Sequence, residues 1–334
     1  MKNEQIVLAK RTEGIPQDEV FRYEDIEVRE PNNEEVLLKT IYVSVDPYMR
    51  GRMNTSKSYT QSYEIDKPFN GHIVAEVVQS NSSELQEGDI VTGVLPWQKY
   101  ITINQKYVTK IASDEVPLYL YLSVLGMPGM TAYQGLLKIG KPQEGETVVV
   151  SAASGAVGSV VGQIAKLKGA HVVGIAGGSE KVNYLTETLG FDEGIDYKKD
   201  NFAEELEKAV PNGIDVYFEN VGGELSDEVF KHLNQFARIP VCGAISSYNL
   251  KGEDIGPRIQ QILIKSQALM QGFIVAQFNE DVKEASEQLA QWVQEGKIKS
   301  EVTVDEGFDQ IPNAFRKLFT GDNFGKQVIK VADL

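Results

Sequence analysis

The sequence predicts an α/β protein of two domains, with a doubly wound parallel sheet accompanied by an antiparallel, barrel-like β domain. Three observations carry this. Residues 147–166 read strand, glycine turn, helix; from about residue 125 strands and helices alternate; residues 1 to about 120 are β-rich. The 334 residues suit two domains of ordinary size. A hydrophobic content of 42% with 24% charged residues belongs to a foldable globular chain, not a disordered one.

In the first domain, strands are expected at 35–44, 71–78, 90–94 and 98–103, separated by turn clusters at 31–33 and 86–89. The second opens with Thr147-Val148-Val149-Val150, a β-branched run of the kind a buried parallel strand needs. Further strands are expected at 171–176, 215–220, 238–243 and 269–275. Pro240 is awkward inside its strand unless it marks a bulge or the strand's start. A helix opens at Ser179-Glu180-Lys181 and runs through Leu189, and Asn201 with Glu204 reads as a capping box for a helix over 202–210. The helix over 281–295 places Val282, Ala285, Leu289, Trp292 and Val293 on one face, so Trp292 is expected in the core. A last strand at 327–331 returns to the first domain, which makes that domain discontinuous.

The turn after residue 150 reads Ala152-Ala153-Ser154-Gly155-Ala156-Val157-Gly158, an AxxGxxG pattern in which Ala152 stands where glycine is usual. Between a strand and a helix such a turn makes a phosphate cradle. Glycines admit a pyrophosphate close to the backbone, and the N–H groups and dipole of the helix start favour its charge. Dinucleotide-binding chains usually place Asp or Glu about 20 residues further on, to hold the adenosine ribose. Here the next strand ends in Ala176, Gly177 and Gly178, with Lys181 just beyond. A carboxylate would repel a 2′-phosphate; small residues and a cation admit one. The tip therefore favours NADP(H) over NAD(H). Glu180 lies past the tip, where it suits the first turn of the following helix.

A net charge of −15 argues against a nucleic-acid-binding surface. Cys242 is the only cysteine, so no disulfide forms within the chain. The N-terminus lacks an apolar signal core and no stretch is long enough to span a bilayer, so a soluble, cytoplasmic protein is expected. Ser151 and Ser154 lie near the glycines without a base partner and are not read as nucleophiles.

Several separated motifs match one family. They are VDPYMRG at 45–51, GMPGMTAY at 126–133, the turn at 152–158, GQIAK at 162–166, YFENVGG at 217–223, CGAISSYN at 242–249 and DNFGK at 322–326. In these the chain resembles the zinc-independent medium-chain dehydrogenase/reductases, within them the prostaglandin reductase (leukotriene B4 12-hydroxydehydrogenase-like) and alkenal double-bond reductase group. The match runs in order along nearly the whole chain. The resemblance implies a GroES-like β-barrel domain at 1–122 and 305–334 and a Rossmann NADP-binding domain at 123–304. It implies that Gly155, Ala156, Val157 and Gly158 lie along the pyrophosphate, and that Lys181 binds the 2′-phosphate with Tyr197 nearby. Asn220 would contact the cofactor backbone. Cys242, Gly243, Ala244, Ile245, Ser246, Ser247 and Tyr248 would surround the nicotinamide half, as would Phe273, Ile274 and Val275, and Asn323 would reach in from the C-terminal segment.

The activity implied is NADPH-dependent reduction of the carbon–carbon double bond of α,β-unsaturated ketones and aldehydes. Hydride reaches the β-carbon, and charge builds on the carbonyl oxygen as an enolate. A neutral donor near that oxygen lowers the barrier, and a proton must reach the α-carbon. Tyrosine, with a pKa of about 10, is protonated at neutral pH. Tyr248 stands where the family places such a residue, acting directly or through the ribose hydroxyl; Tyr48 comes second, as a wall of the substrate cleft. Arg50 and Arg52 are read as structural or surface charges rather than holders of an acidic substrate tail. Zinc is not expected. Asp46 stands about where zinc-containing relatives have their first ligand, His72 lacks a following Glu, and one cysteine builds no thiolate site. Quinone reduction is the rival activity, and a non-catalytic NADPH-binding protein the rival of another class. The resemblance also implies a homodimer joined at the nucleotide-domain sheet edge, acting on small molecules.

Overall fold

The computed structural model describes residues 2–111 and 116–334. Its contacts divide the chain into two compact units: Met1–Leu122, Val302–Asn323 and Gln327–Leu334 form one, Ser123–Glu301 and Phe324–Lys326 the other.

The first unit opens with β1 (Lys2–Leu8), paired antiparallel along its length with β2 (Phe21–Glu27). Both were missed in the sequence, where polar residues interrupt their apolar pattern. The central strand β3 (Glu35–Ser44) pairs antiparallel with β4 (Asn70–Ser80), which pairs with β5 (Ile90–Pro96). Strand β6 (Tyr100–Asn104) also lies on β3, and the short β7 (Thr109–Lys110) extends β5. The β3–β4 register shifts twice, at Leu37/Leu38 and Thr40/Tyr42, and such bulges curl a sheet about a core. That core is aromatic and fully buried at its centre: Phe69 packs on Trp97 (ring centroids 4.8 Å), Tyr63 (5.0 Å) and Phe21 (5.3 Å).

The second unit carries β8 (Thr147–Val150), β9 (His171–Ala176), β10 (Glu193–Asp196), β11 (Ile214–Phe218), β12 (Leu233–Val241) and β13 (Leu269–Gly272). All pairs are parallel and the order is β10-β9-β8-β11-β12-β13. This is a Rossmann sheet, in which the strand order reverses between β8 and β11 and ligands sit beyond the strands' carboxyl ends. The strands are buried runs, as a sheet covered by helices requires. Val149, Val173, Ile175, Tyr217 and Ile239 share a core with residues of the helices Phe202–Ala209, Gly223–Val229 and Gln260–Ser266. The chain then returns to the first unit through β14 (Val302–Glu306) and β15 (Lys326–Lys330), which pairs with β3.

Four local expectations need correction. Asn201 makes no capping hydrogen bond; its φ/ψ of −94°/21° is not the extended cap geometry, and its amide donates instead to Glu205 (3.2 Å). Pro240 sits neither at a bulge nor at a strand start but one residue before the end of β12. The irregularity lies upstream at Phe236 (φ 63°), and the Pro240 carbonyl still accepts the Glu219 N–H (3.0 Å). Trp292 is only half-buried, its ring 5.9 Å from that of Tyr133, while Ala285 and Leu289 alone are fully buried on the helix Val282–Gln294. The strand expected over 269–275 stops at Gly272, and a 3-10 turn over Val275–Asp281 follows.

Candidate functional site

Three loops meet at the carboxyl ends of the adjacent strands β8, β11 and β12. The first holds the glycine turn. Ala152 adopts φ 49°, the left-handed region that glycine prefers, and its carbonyl accepts the Gly155 N–H (2.9 Å). A Cβ at Gly158 would overlap that carbonyl oxygen, and one at Gly155 would press it at 3.1 Å. The helix Gly158–Leu167 starts directly from this turn with no side-chain cap. In its first turn the Ser159 N–H donates to the Gly155 carbonyl (3.1 Å), and those of Val160 and Val161 donate to the Val157 carbonyl (3.1 and 3.0 Å). Gly325 clasps the outside of the turn, its N–H donating to the Ser154 carbonyl (3.1 Å), while Phe324 packs edge-on to Tyr184 (4.8 Å).

On one side of β8 lies the tip of β9. Gly178 donates its N–H to Asp196 at the end of β10 (2.9 Å), Lys198 does the same (3.1 Å), and Tyr197 donates to the Ala176 carbonyl (3.2 Å). A Cβ at Gly177 would fall 3.0 Å from the Tyr197 ring and 2.9 Å from Lys198 Cε. A side chain at Gly177 would have to displace the Tyr197 ring and the end of the Lys198 side chain. Lys181 is half-buried on the helix Ser179–Asn183, and Tyr197 is 45% exposed. Asp196 and Lys198 escaped sequence reasoning, because only the β9–β10 pairing brings them to this tip.

On the other side lie the β11 and β12 loops. Asn220 is tied to the residue just before the glycine turn, its N–H donating to Ser151 Oγ (2.9 Å) and its side-chain amide to the Ser151 carbonyl (2.8 Å). Before it, Glu219 is 2% exposed. Its Oε1 accepts from the N–H groups of Val221 (2.8 Å) and Gly222 (3.0 Å) and the hydroxyls of Tyr217 (3.0 Å) and Ser151 (3.2 Å). Its Oε2 accepts from Ser226 Oγ. The Glu219 carbonyl takes the N–H groups of Cys242 (2.9 Å) and Gly243 (3.2 Å). Ile245 donates to the Asn220 carbonyl (3.2 Å), and Ser246 donates through both N–H (3.0 Å) and hydroxyl (2.6 Å) to Val221.

The segment 242–248 ends on Tyr248, whose phenol oxygen accepts the Ala244 N–H (3.3 Å) and keeps its own proton to give. Burial pushes this phenol above the ordinary tyrosine value. Burial, with the Glu219 charge adding to it, pushes the Cys242 thiol up to about 12. Phe273 is buried with its N–H on the Val241 carbonyl (3.3 Å) and its ring against Phe218 (6.1 Å); Ile274 is 38% exposed and Val275 opens the 3-10 turn.

Tyr48 and Asn323 belong to the first unit. Tyr48 precedes the short helix Met49–Arg52 and packs on that unit's core, with burial and then the Asp46 charge pushing its phenol well above the ordinary value. Asp46 accepts the Ser44 hydroxyl (2.6 Å). Arg50 is 2% exposed and donates to the carbonyls of Gly14 (3.0 Å) and Thr12 (3.0 Å) and to Asn54 (3.0 Å), a structural role. Among the described residues no group of three or more His, Cys, Asp or Glu is placed to hold a metal ion.

Residues 4–111 match the model of the N-terminal domain of oxidoreductases and residues 156–291 that of zinc-binding dehydrogenases. The chain is 56% identical to the putative NADP-dependent oxidoreductase YfmJ of Bacillus subtilis, covering 99% of this chain and 98% of that one. It is 47% identical to the NADPH-dependent curcumin reductase of Escherichia coli, over 99% and 97% of the two chains. The crystal structure of CurA in complex with NADPH from Vibrio vulnificus superposes with a TM-score of 0.95 at 44% identity, covering 99% of this chain and all of that one. The chain belongs to the zinc-independent medium-chain dehydrogenase/reductases, in the prostaglandin reductase and alkenal reductase group. In this medium-chain reductase the second unit supplies the three loops described above. No helix of the described residues is long and apolar enough to cross a membrane.

Proposed function

We propose that the protein is an NADPH-dependent reductase of the carbon–carbon double bond of α,β-unsaturated ketones and aldehydes. The observation that carries this reading is the glycine turn, flanked on one side by a β9 tip that carries no acid of its own, where Asp196 of β10 is taken up by the N–H groups of Gly178 and Lys198, and on the other by a proton-bearing phenol. Gly158 lets the start of the helix pack directly on the Ala152 backbone, and the tight turn so formed suits a cofactor's pyrophosphate. Gly155, Ala156, Val157 and Gly158 would hold it, and Lys181 and Tyr197 the 2′-phosphate. Asn220, the segment 242–248 and Phe273 to Val275 would line the remainder.

When bound, the reduced nicotinamide supplies a hydride for the alkene carbon β to the carbonyl. Tyr248 meets the other half of the requirement. The Ala244 N–H occupies one of its lone pairs, and its own O–H is left to donate to an oxygen on which charge develops. A phenol raised above 10 stays protonated across the neutral and mildly basic range. The sign is definite: the donor is present below its pKa and lost only above it, so kcat should carry no basic limb assignable to Tyr248 up to pH about 10.

The test mixes the protein with NADPH and a panel of enones, 2-alkenals and quinones and follows NADPH absorbance. Turnover with enones or alkenals is expected, and Tyr248→Phe should lower kcat about 100-fold. Cofactor binding without turnover on any acceptor would leave only a binding protein. Turnover confined to quinones would move the assignment to that class.

A further inference from the structure

The loop network contains one group that neither the glycine turn nor the proton donor explains. Glu219 is a carboxylate buried in the sheet's carboxyl edge, and five donors converge on it: two peptide N–H groups and three hydroxyls. The peptide N–H groups are obligatory donors, so Oε1 serves as acceptor. Such an arrangement is an anion nest, filled here by the chain's own carboxylate. Its peptide group works in parallel, with the N–H on Pro240 and the carbonyl beneath Cys242 and Gly243. One residue thus ties the end of β11 to β8, through Ser151, and to β12, through Pro240, Cys242 and Gly243.

We infer that Glu219 is a positioning residue: its side chain fixes Asn220 to Gly222, and its peptide group fixes the start of the 242–248 segment that ends in Tyr248. The inference rests on the function proposed above and deepens it. Asn220 and Tyr248 stand on loops that Glu219 ties to the sheet, and a misplacement of about 1 Å at a reacting group costs on the order of 100-fold in rate. Reach matters more than charge. Gln at this position keeps an oxygen for Val221 and Gly222 and turns its NH2 toward Ser226 Oγ, a hydroxyl able to accept. Asp keeps the charge but withdraws it by one bond of about 1.5 Å, out of range of both N–H groups.

The test compares Glu219→Asp, Glu219→Gln and Ser151→Ala, the last removing the acceptor of the Asn220 N–H with little change of volume. Amide hydrogen exchange is read on the cofactor-free protein, together with NADPH binding by titration and kcat with an enone. In E219D the amides of residues 220–222 and 242–243 should exchange at least about tenfold faster, with β9 unchanged; kcat should fall about 100-fold and the NADPH Kd rise about tenfold. E219Q should recover exchange and kcat to within about threefold of wild type. S151A should speed exchange at Asn220 and lower kcat about fivefold.

A folded E219D that matches wild type in exchange and kcat overturns the inference. So does an E219Q as impaired as E219D, because charge would then be the requirement. Should E219D not fold, an S151A unchanged in both readouts overturns it equally. If wild type shows no turnover with any enone, the functional reading fails on its own account. The exchange and NADPH-binding arms still judge Glu219.

Discussion

The loops after β8 and β11 are built alike and used differently. Each follows a buried strand, turns on glycine and feeds a helix, so each presents a helix start that favours negative charge. After β11 the chain answers with its own carboxylate, Glu219, whose Oε1 takes the N–H groups of Val221 and Gly222. After β8 no side chain caps the helix, and Gly158 packs directly on the Ala152 backbone. One turn is closed internally and becomes scaffold. The other carries no internal anion, as the proposed cofactor site requires. A glycine-rich strand-to-helix turn therefore announces a ligand only when the protein supplies no anion for it.

The largest effect expected from this contrast concerns the closed turn. Glu219 lies close enough for its charge to raise Cys242, after burial has done most of the work, to about 12. The thiolate is the nucleophile, so a thiol held protonated adds to electrophilic alkenes roughly a thousandfold more slowly than a free cysteine of pKa about 8.5. Incubation with a 2-alkenal at pH 8 and intact-mass measurement should show Cys242 unmodified while free glutathione is consumed. Rapid adduct formation at Cys242 would show that the closed turn does not shield it. Next comes the open turn. Gly158→Ala drives a methyl into the Ala152 carbonyl and should weaken NADPH binding by 100-fold or more, on the order of 3 kcal/mol, by titration. Unchanged affinity would mean that the turn is not a cradle.

The contrast also marks what the chain spells out and what it hides. The parallel sheet and the β8 turn were legible because their signals are local: a β-branched run, glycines at fixed spacing, then helical periodicity. The Glu219 network was not: four of its donors, Tyr217, Val221, Gly222 and Ser226, are near neighbours in sequence but follow no recognised spacing, and the fifth, Ser151, arrives only when β8 and β11 pair. Asp196 and Lys198 were hidden in the same way, arriving at the β9 tip through β10. Where local rules failed, a competing contact is visible. Asn201 was expected to cap a helix and bonds Glu205 instead, and Trp292 was expected inside and meets Tyr133 half-buried. The polar strands β1 and β2 carry too little alternation to be read without their partners.

A smaller effect sharpens the reading of the open site. If the small residues at the tip of β9 and the cation beyond them select a 2′-phosphate, Lys181→Ala should raise the Kd for NADPH about 10- to 30-fold and leave that for NADH within twofold, since one charge-assisted hydrogen bond contributes about 1.5–3 kcal/mol. Paired titrations with the two cofactors measure this. Equal losses for both would assign Lys181 to the fold rather than to the phosphate. A loss seen only when Lys198→Ala is added would move the role to the cation packed over Gly177.

The smallest effect lies at the residue where the open turn departs from the usual glycine. Ala152 holds φ 49°, which costs an L-residue about 1–2 kcal/mol relative to glycine. Ala152→Gly relieves that strain but adds about 0.4–1 kcal/mol of unfolded-chain entropy, so the two terms nearly offset. The balance favours a slight stabilisation of under about 1 kcal/mol, a rise in Tm of about 1–3 °C for a chain of this size. NADPH affinity should hold or weaken slightly, because the Gly155 N–H bond to the residue 152 carbonyl fixes the turn with either side chain. A fall in Tm of several degrees would show that the Ala152 methyl packs usefully. In that event the alanine is part of what keeps the open turn in shape without an internal anion, and the strain is offset locally rather than carried by the fold.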